Sequence, residues 1–384
     1  MKIAVDSWTL ASRFRCQGTY VYTQNLLREF KEIARQDADV SFSLFASGRN
    51  GNDAVRIATE DRFELCSSRL LDHDRLWRFG GAGLSASRSR ANVMFIPTAA
   101  TLPIGPVPAV CTIHDVTPIT MPSHSSKVST MQRVLLKGCA RFSRAIITSS
   151  ECSKSDIVKL LGVPEEKVAV IHDGCDQSLF NADPPDVAAL AALRARLGIQ
   201  RSYLLHHGTI QPRKNLKRLI EAFHLMLEND SNLEFDLVLA GQQGWASDEI
   251  MKAAATNRSC GKVILAGVLG DSELAHLIKG ASLAVVPSLY EGFSLPMVEA
   301  MACGVATVAS NTSCLPEISG NALAYFDPSS VEDMASCMNR VLGDSAFSHR
   351  LREKGIERAR QFTWKRCARE TLDVLKKVGQ GASH

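Results

Sequence analysis

The chain has 384 residues, 45% hydrophobic and 22% charged, with a formal net charge of +4. This composition excludes a disordered or low-complexity chain and is too weakly basic to imply nucleic acid as a partner. At this length one core is outgrown, so two domains are expected, and eleven cysteines scattered as singletons, with neither a CxxC pair nor a His/Cys cluster at metal-ligand spacing, point to a reducing compartment and not to disulfides or a metal centre.

In chain order, Met1–Asp6 reads as a short strand and lacks the long apolar region of a signal peptide; no apolar run reaches the ~18 residues of a membrane span, so a cytoplasmic protein is expected. The loop Gln17-Gly18-Thr19-Tyr20 precedes a helix with Tyr22, Leu26, Leu27 and Phe30 at helical spacing. Gly18 would let backbone amides meet a phosphate or sugar. A strand follows at 41–45, and then Arg69, Arg75, Arg78, Arg88 and Arg90 cluster among Leu70, Leu71, Leu76, Trp77 and Phe79, opposed only by Asp72 and Asp74. This stretch reads either as a solvated helix and loop or as a surface touching anionic lipid.

Further strands are expected at 93–96, 110–113, 145–148 and 168–171. His114-Asp115 ends one of them on the side where parallel sheets bind ligands; the histidine is either a structural residue or a site residue. Residues 173–185, with Gly174, Asn181 and two prolines, have the composition of a linker. A second series of strands follows at 203–207, 235–240, 263–266, 283–287, 306–309 and 324–326. Between its first two, Leu216, Leu219, Ile220, Phe223 and Leu227 form one helix face. Strand and helix alternate in both halves, so each is expected to be a Rossmann-like α/β domain with a parallel sheet, the two facing an interdomain cleft. The boundaries are residues 1–175 for an acceptor-binding domain, 186–363 for a nucleotide-sugar-binding domain, and 364–384 for a helix packing back on the first.

No GxGxxG follows the first strand, and GxxxxGK[ST], HExxH and GxSxG are missing, which argues against dinucleotide oxidoreductases, P-loop kinases and serine hydrolases. In the loop from His207 to Asn215, Gly208 permits close backbone approach, while Arg213 and Lys214 sit just before a helix. Two cations there oppose the helix dipole unless an anion shares the site, as a diphosphate would. In the loop from Ser288 to Gly304, Pro296 suits a first helical position and Gly304 a cap, leaving Glu291 in the loop and Glu299 near the helix start. Either carboxylate can accept from sugar or ribose hydroxyls; Glu299 reads equally well as a first-turn acid complementing the dipole.

On these residues the chain resembles the GT-B retaining glycosyltransferases of family 4 (glycosyl transferases group 1), with bacterial mannosyl- and rhamnosyltransferases among them. The likeness is strongest over 147–326. It rests on Tyr290-Glu291-Gly292-Phe293 with Glu299-Ala300-Met301-Ala302-Cys303-Gly304, on Gly208-Thr209 with Pro212-Arg213-Lys214-Asn215, and on Thr148-Ser149-Ser150-Glu151 through Asp173-Gly174-Cys175-Asp176. The resemblance implies that Arg213 and Lys214 neutralise the donor diphosphate and that Glu299 holds ribose hydroxyls. It implies that Glu291, Phe293, Ser294 and Leu295 bracket the transferred sugar, that Gly18 and Thr19 contact the donor, and that His114 lies beside sugar and acceptor. It implies no cofactor and no metal, with front-face attack in which the leaving phosphate takes the acceptor's proton. Three positions depart from the family: Gly18-Thr19 for two glycines, Ser294 for a frequent glycine, and Asp173 for asparagine.

The expected activity is transfer of a hexose, mannose from GDP-mannose foremost, to a glycan or lipid-linked acceptor in bacterial polysaccharide or O-antigen synthesis, with possible peripheral contact at the cytoplasmic face of the inner membrane. Alternatives are a transferase using dTDP- or GDP-rhamnose or a UDP-sugar, a sugar-nucleotide epimerase of the same shape, and an inactive sugar-nucleotide-binding subunit.

Overall fold

The computed structural model describes residues 1–10, 18–46, 63–67, 74–121, 126–230, 232–256 and 261–381. Gln17, Arg69, Leu70 and Leu71 lie outside the described residues. The chain divides into two compact units, Met1–Gly174 with Trp364–His384, and Cys175–Thr363.

The N-terminal unit holds β1 (Lys2–Asp6), β2 (Ser41–Ala46), β3 (Phe63–Ser67), β4 (Val93–Ile96), β5 (Ala109–Thr112), β6 (Ala145–Thr148) and β7 (Val168–Val170). They form one parallel sheet in the order β3-β2-β1-β4-β5-β6-β7. Every residue of β4 and β5 is buried, as strands covered on both faces must be. Sequence patterning does not single out β3: it is the edge strand, and Glu64 and Leu65 are exposed, so it has no continuous apolar run. Helices of this unit include α1 (Gly18–Gln36), α2 (Ala82–Arg88), α3 (Ser126–Phe142) and α4 (Glu151–Leu161). α1 buries Tyr22, Leu26, Leu27 and Phe30, the face its spacing predicts, and Phe30 stacks on Phe42 of β2 at 5.1 Å. α4 begins where Ser150 accepts from the Ser153 amide and stops at left-handed Gly162.

The second unit contains α5 (Val187–Leu197), β8 (Ser202–His207), α6 (Leu216–Asn229), β9 (Phe235–Ala240), α7 (Asp248–Ala255), β10 (Val263–Gly267), α8 (Asp271–Lys279), β11 (Leu283–Val286), α9 (Leu295–Ala302), β12 (Thr307–Ser310), β13 (Ala324–Phe326), α10 (Val331–Gly343) and α11 (Ser345–Ala359). Its parallel sheet runs β10-β9-β8-β11-β12-β13. The predicted face of α6 is buried entirely and joins Leu237, Leu239, Val285 and Val308 in one core. Each such Leu or Phe contributes about 1.5–3 kcal/mol on burial. In both sheets the strand order reverses beside the first strand, between β1 and β4 and between β8 and β11. Crevices for ligands open at such switch points.

The last helix, α12 (Trp364–Gln380), belongs to the N-terminal unit. Trp364 meets Tyr22 of α1 edge-on at 6.0 Å, and Lys376 pairs with Asp37 at 3.0 Å. Among the described residues no helix is long and apolar enough to cross a membrane.

Candidate active site

At the switch point of the second sheet, the chain leaves β8 through His207 and Gly208. Gly208 has φ +133°, and its carbonyl lies so close to Gly241 (φ +144°) that a Cβ on Gly241 would come within 2.0 Å of it. Two left-handed glycines thus let two strand-ending loops touch backbone to backbone. Pro212–Lys214 then makes one tight turn, and Asn215, left-handed at φ 57°, caps the start of α6. The Asn215 side chain donates to the Pro328 carbonyl at 2.8 Å, which anchors the turn.

The loop after β11 is tied to this turn by the Leu289 amide, which donates to the Arg213 carbonyl at 2.9 Å. Arg213 donates from one guanidinium nitrogen to the Tyr290 carbonyl and to Glu291 Oε2, each at 2.6 Å. Lys214 Nζ and the Ser288 hydroxyl both donate to Glu291 Oε1 at 2.6 Å. Glu291 is therefore the shared counter-ion of both cations. Burial pushes its carboxyl up, but Arg213 and Lys214 outweigh that and hold it below the usual carboxylate range. Burial likewise pushes Lys214 down, opposed by Glu291. Neither cation is a solvated surface group, and Glu291 relieves much of their conflict with the dipole of α6. One carboxylate against two cations still leaves a net positive charge at a helix N-terminus, the electrostatics of an anion site.

Glu299 is the fifth residue of α9, beyond its first turn, so the reading of it as a first-turn acid is corrected. Its Oε2 accepts from His207 Nε2 at 2.9 Å. A carboxylate only accepts, so Nε2 carries the proton and Glu299 Oε1 keeps its lone pairs for other hydroxyls. Pro296 lies in the first turn of α9, and left-handed Gly304 (φ +66°) follows it. Ser294 caps α9 in the left-handed region at φ 78°, with its hydroxyl buried and without a partner. Phe293 is buried edge-on against Phe362 at 5.4 Å, and Leu295 opens α9. Gly208, Arg213, Lys214, Glu291, Phe293, Ser294, Leu295 and Glu299 thus all lie on the two loops at this switch point and the helix that follows.

Sequence reasoning assigned no role to His207, Ser288 or His206. Buried His206 donates from Nδ1 to the Val285 carbonyl at 3.0 Å, and burial, then the Lys214 ammonium, hold its pKa down to about 3. His207 stood beside Gly208 in the predicted loop, and that adjacency was the available signal.

His114, Gly18 and Thr19 belong to the N-terminal unit. His114 follows β5 and donates from Nε2 to the Pro97 carbonyl at 3.2 Å, since a carbonyl only accepts; Nδ1 is left as an acceptor. Its ring meets Tyr22 edge-on at 4.6 Å. Burial lowers its pKa, against the Asp115 carboxylate, so the ring is neutral. Gly18 opens α1, and a Cβ there would meet nothing within 4 Å, so packing does not demand a glycine. The Thr19 carbonyl accepts from Thr23 at 2.8 Å. Asp6, at the end of β1, accepts from the Trp8 amide and from Trp77 Nε1 at 3.0 Å.

Two family models match the chain: "Glycosyltransferase Family 4" over residues 18–179 and "Glycosyl transferases group 1" over residues 192–361. The chain is 31% identical over 270 residues to an Escherichia coli protein named O-antigen chain mannosyltransferase B, covering 70% of each. It is 28% identical over 288 residues to the E. coli serotype-specific mannosyltransferase WbdA, covering 73% of this chain but only 35% of that longer protein. Among solved structures, Anabaena Alr3699/HepE in complex with UDP and glucose shares the fold, with TM-score 0.73 and 19% identity over 98% of this chain and 100% of the other.

Proposed function

Since the chain belongs to the family 4, group 1 glycosyltransferases, we propose that it transfers mannose, with retention of anomeric configuration, from GDP-mannose to a glycan or lipid-linked acceptor of O-antigen or polysaccharide synthesis. The observation that carries this reading is the Arg213–Glu291–Lys214 cluster at the β8/β11 switch point. Mannose as the sugar is supported by the names of the relatives.

Under this reading the donor diphosphate meets Arg213 and Lys214 at the N-terminus of α6. Their fixed positive charge stabilises the leaving group as negative charge develops on it, the part a metal ion plays elsewhere, so no metal is required. The ribose hydroxyls donate to Glu299, which His207 holds in place. Glu291, Phe293, Ser294 and Leu295 border the sugar. In the N-terminal unit, neutral His114 offers Nδ1 as an acceptor for a hydroxyl of sugar or acceptor, and Gly18 and Thr19, at the start of α1, contact the donor. The departing phosphate accepts the proton of the attacking hydroxyl, so no side chain need act as general base. The setting is the cytoplasm, at the cytoplasmic face of the inner membrane when the acceptor is lipid-linked.

Thermal stabilisation by a panel of GDP-, UDP-, dTDP- and CMP-sugars tests the donor, because a ligand that binds only the folded state raises its stability with concentration. A shift with GDP-mannose alone, followed by mannose transfer to acceptor, is expected. A UDP- or dTDP-sugar shift replaces the donor; binding without transfer marks a binding subunit, and isomerisation without acceptor an epimerase.

A further inference from the structure

We infer that the surface formed by residues 75–90 and the loop packed against them, 100–105, is a docking site for an anionic lipid bilayer. From Arg75 to His114 the chain carries Arg75, Arg78, Arg88 and Arg90 and not one Asp or Glu. In the same stretch four large apolar side chains lie open to solvent: Leu76 (56% exposed), Phe79 (44%), Leu84 (46%) and Ile104 (44%).

Packing brings these residues into one stretch of surface. The Leu102 amide donates to the Arg78 carbonyl at 2.8 Å, and a Cβ on Gly83 would lie 1.9 Å from the Ile104 carbonyl oxygen, so the loop runs directly along the helical segment. Leu76 and Phe79 are three residues apart, and the helix breaks at Phe79 (φ −105°, ψ 18°) and Gly80 (φ +148°), where the chain is redirected into α2. Leu84 and Ile104 follow on the two strips of chain that touch at Gly83.

The arginines divide by role. Arg78 is structural: its Nε donates to the Ala100 carbonyl at 2.7 Å and its guanidinium lies 4.9 Å above the Trp8 ring. Arg75, Arg88 and Arg90 are exposed, and among the described residues no ion pair reaches them. The docking cations are therefore these three.

Exposed apolar side chains interspersed along the chain with three exposed cations, with Asp74 as the one acid beside them, match the boundary between headgroups and acyl chains of an anionic bilayer. A purely polyanionic partner gives no reason for Leu76, Phe79, Leu84 and Ile104 to face water. A second copy of the chain, joined about a two-fold axis, would set arginine against arginine. The inference goes beyond the transferase reading, and its test uses no donor, so its failure leaves that reading standing.

The full chain is sedimented with vesicles of phosphatidylcholine alone or mixed with phosphatidylglycerol. Binding to the anionic vesicles only is expected. Two variants, Leu76→Ser with Phe79→Ser, and Arg75→Gln with Arg88→Gln and Arg90→Gln, should each lose at least about tenfold in partition, at about fivefold per cation near such a surface. Both should keep the wild-type melting temperature, because the changed side chains are exposed. A charge-matched variant elsewhere, Arg352→Gln with Lys354→Gln and Arg360→Gln, should bind like wild type. The proposal is overturned if the wild type ignores anionic vesicles, if either docking variant binds undiminished, if the control loses as much, or if binding proves to be to soluble dextran sulfate with equal strength after the apolar substitutions.

Discussion

His207 Nε2 lies 2.9 Å from Glu299 Oε2, joining the last residue of β8 to the middle of α9 across 92 residues of sequence. The imidazole fixes which carboxylate oxygen remains available. His207→Ala should leave Glu299 free to rotate and raise the donor KM about tenfold with little change in kcat, the worth of one hydrogen bond to a charged group. His207→Gln, which keeps an N–H donor, should recover most of the loss. Steady-state kinetics in the donor decide it, and an unchanged KM for His207→Ala removes the positioning role.

Lys214 and Glu291 act as a pair, so their substitutions should differ in kind. Lys214→Ala is expected to lower kcat/KM at least ~100-fold, the scale of one lost electrostatic contact to a developing charge. Glu291→Gln strips the counter-ion from buried Lys214 and half-buried Arg213 and should cost about 3–5 kcal/mol of stability. The folded Glu291 carboxyl titrates below its ordinary value, so its contribution is complete above the ordinary carboxylate pKa and is lost as pH falls through the lower folded one. Melting curves of wild type and Glu291→Gln should accordingly converge toward acid pH.

Ser294 spends conformational energy at the start of α9, being non-glycine at φ 78° with a buried hydroxyl that has no partner. Ser294→Gly removes both costs and gives back part in unfolded-chain entropy. A net gain of about 1 kcal/mol, seen as a Tm higher by roughly 2–4 °C in a unit of this size, is expected. Ser294→Ala keeps the strained backbone and should gain less; equal gains would assign the whole cost to the hydroxyl.

Asp173 is buried with Oδ1 lacking a partner, and burial raises its pKa to about 7. A folded pKa above the unfolded value means that the wild type is most stable when the carboxyl is protonated, and loses stability as pH rises through 4 to 7. Asp173→Asn, with no ionisation, should be more stable than wild type by on the order of a few kcal/mol at pH 8, with the gain shrinking toward pH 4. Urea titrations at the two pH values measure it. A gain independent of pH would trace the effect to something other than the carboxyl's charge.

The architecture was legible because its signals are local. The face of α6 shows in five apolar residues at helical spacing, and the two loops of the site show in Gly208, Pro296 and Gly304, whose backbone demands are carried by their own identity. β3 escaped notice because an edge strand alternates weakly, with Glu64 and Leu65 exposed. Arg78 read as one more surface cation, and only folding brings Trp8 and the Ala100 carbonyl to it. The engagement of Glu291 with Arg213 and Lys214 was hidden for the same reason: strand order places β8 beside β11, and spacing along the chain carries no trace of that adjacency. Glu299 was read as a first-turn acid because Pro296 marks a helix start only to within a residue or two, and the helix begins one residue earlier, at Leu295.

α12 buries Trp364, Cys367, Ala368, Leu372 and Leu375 within the N-terminal unit, although the whole second unit lies between it and β7. On the ribosome the order of completion is therefore inverted. The second unit, continuous in sequence, is fully synthesised first, while the first waits for its closing helix through about 200 further residues, roughly 10–40 s at ordinary elongation rates. During that interval the surface that α12 will cover is open, and it is there that a nascent chain of this protein would need a chaperone.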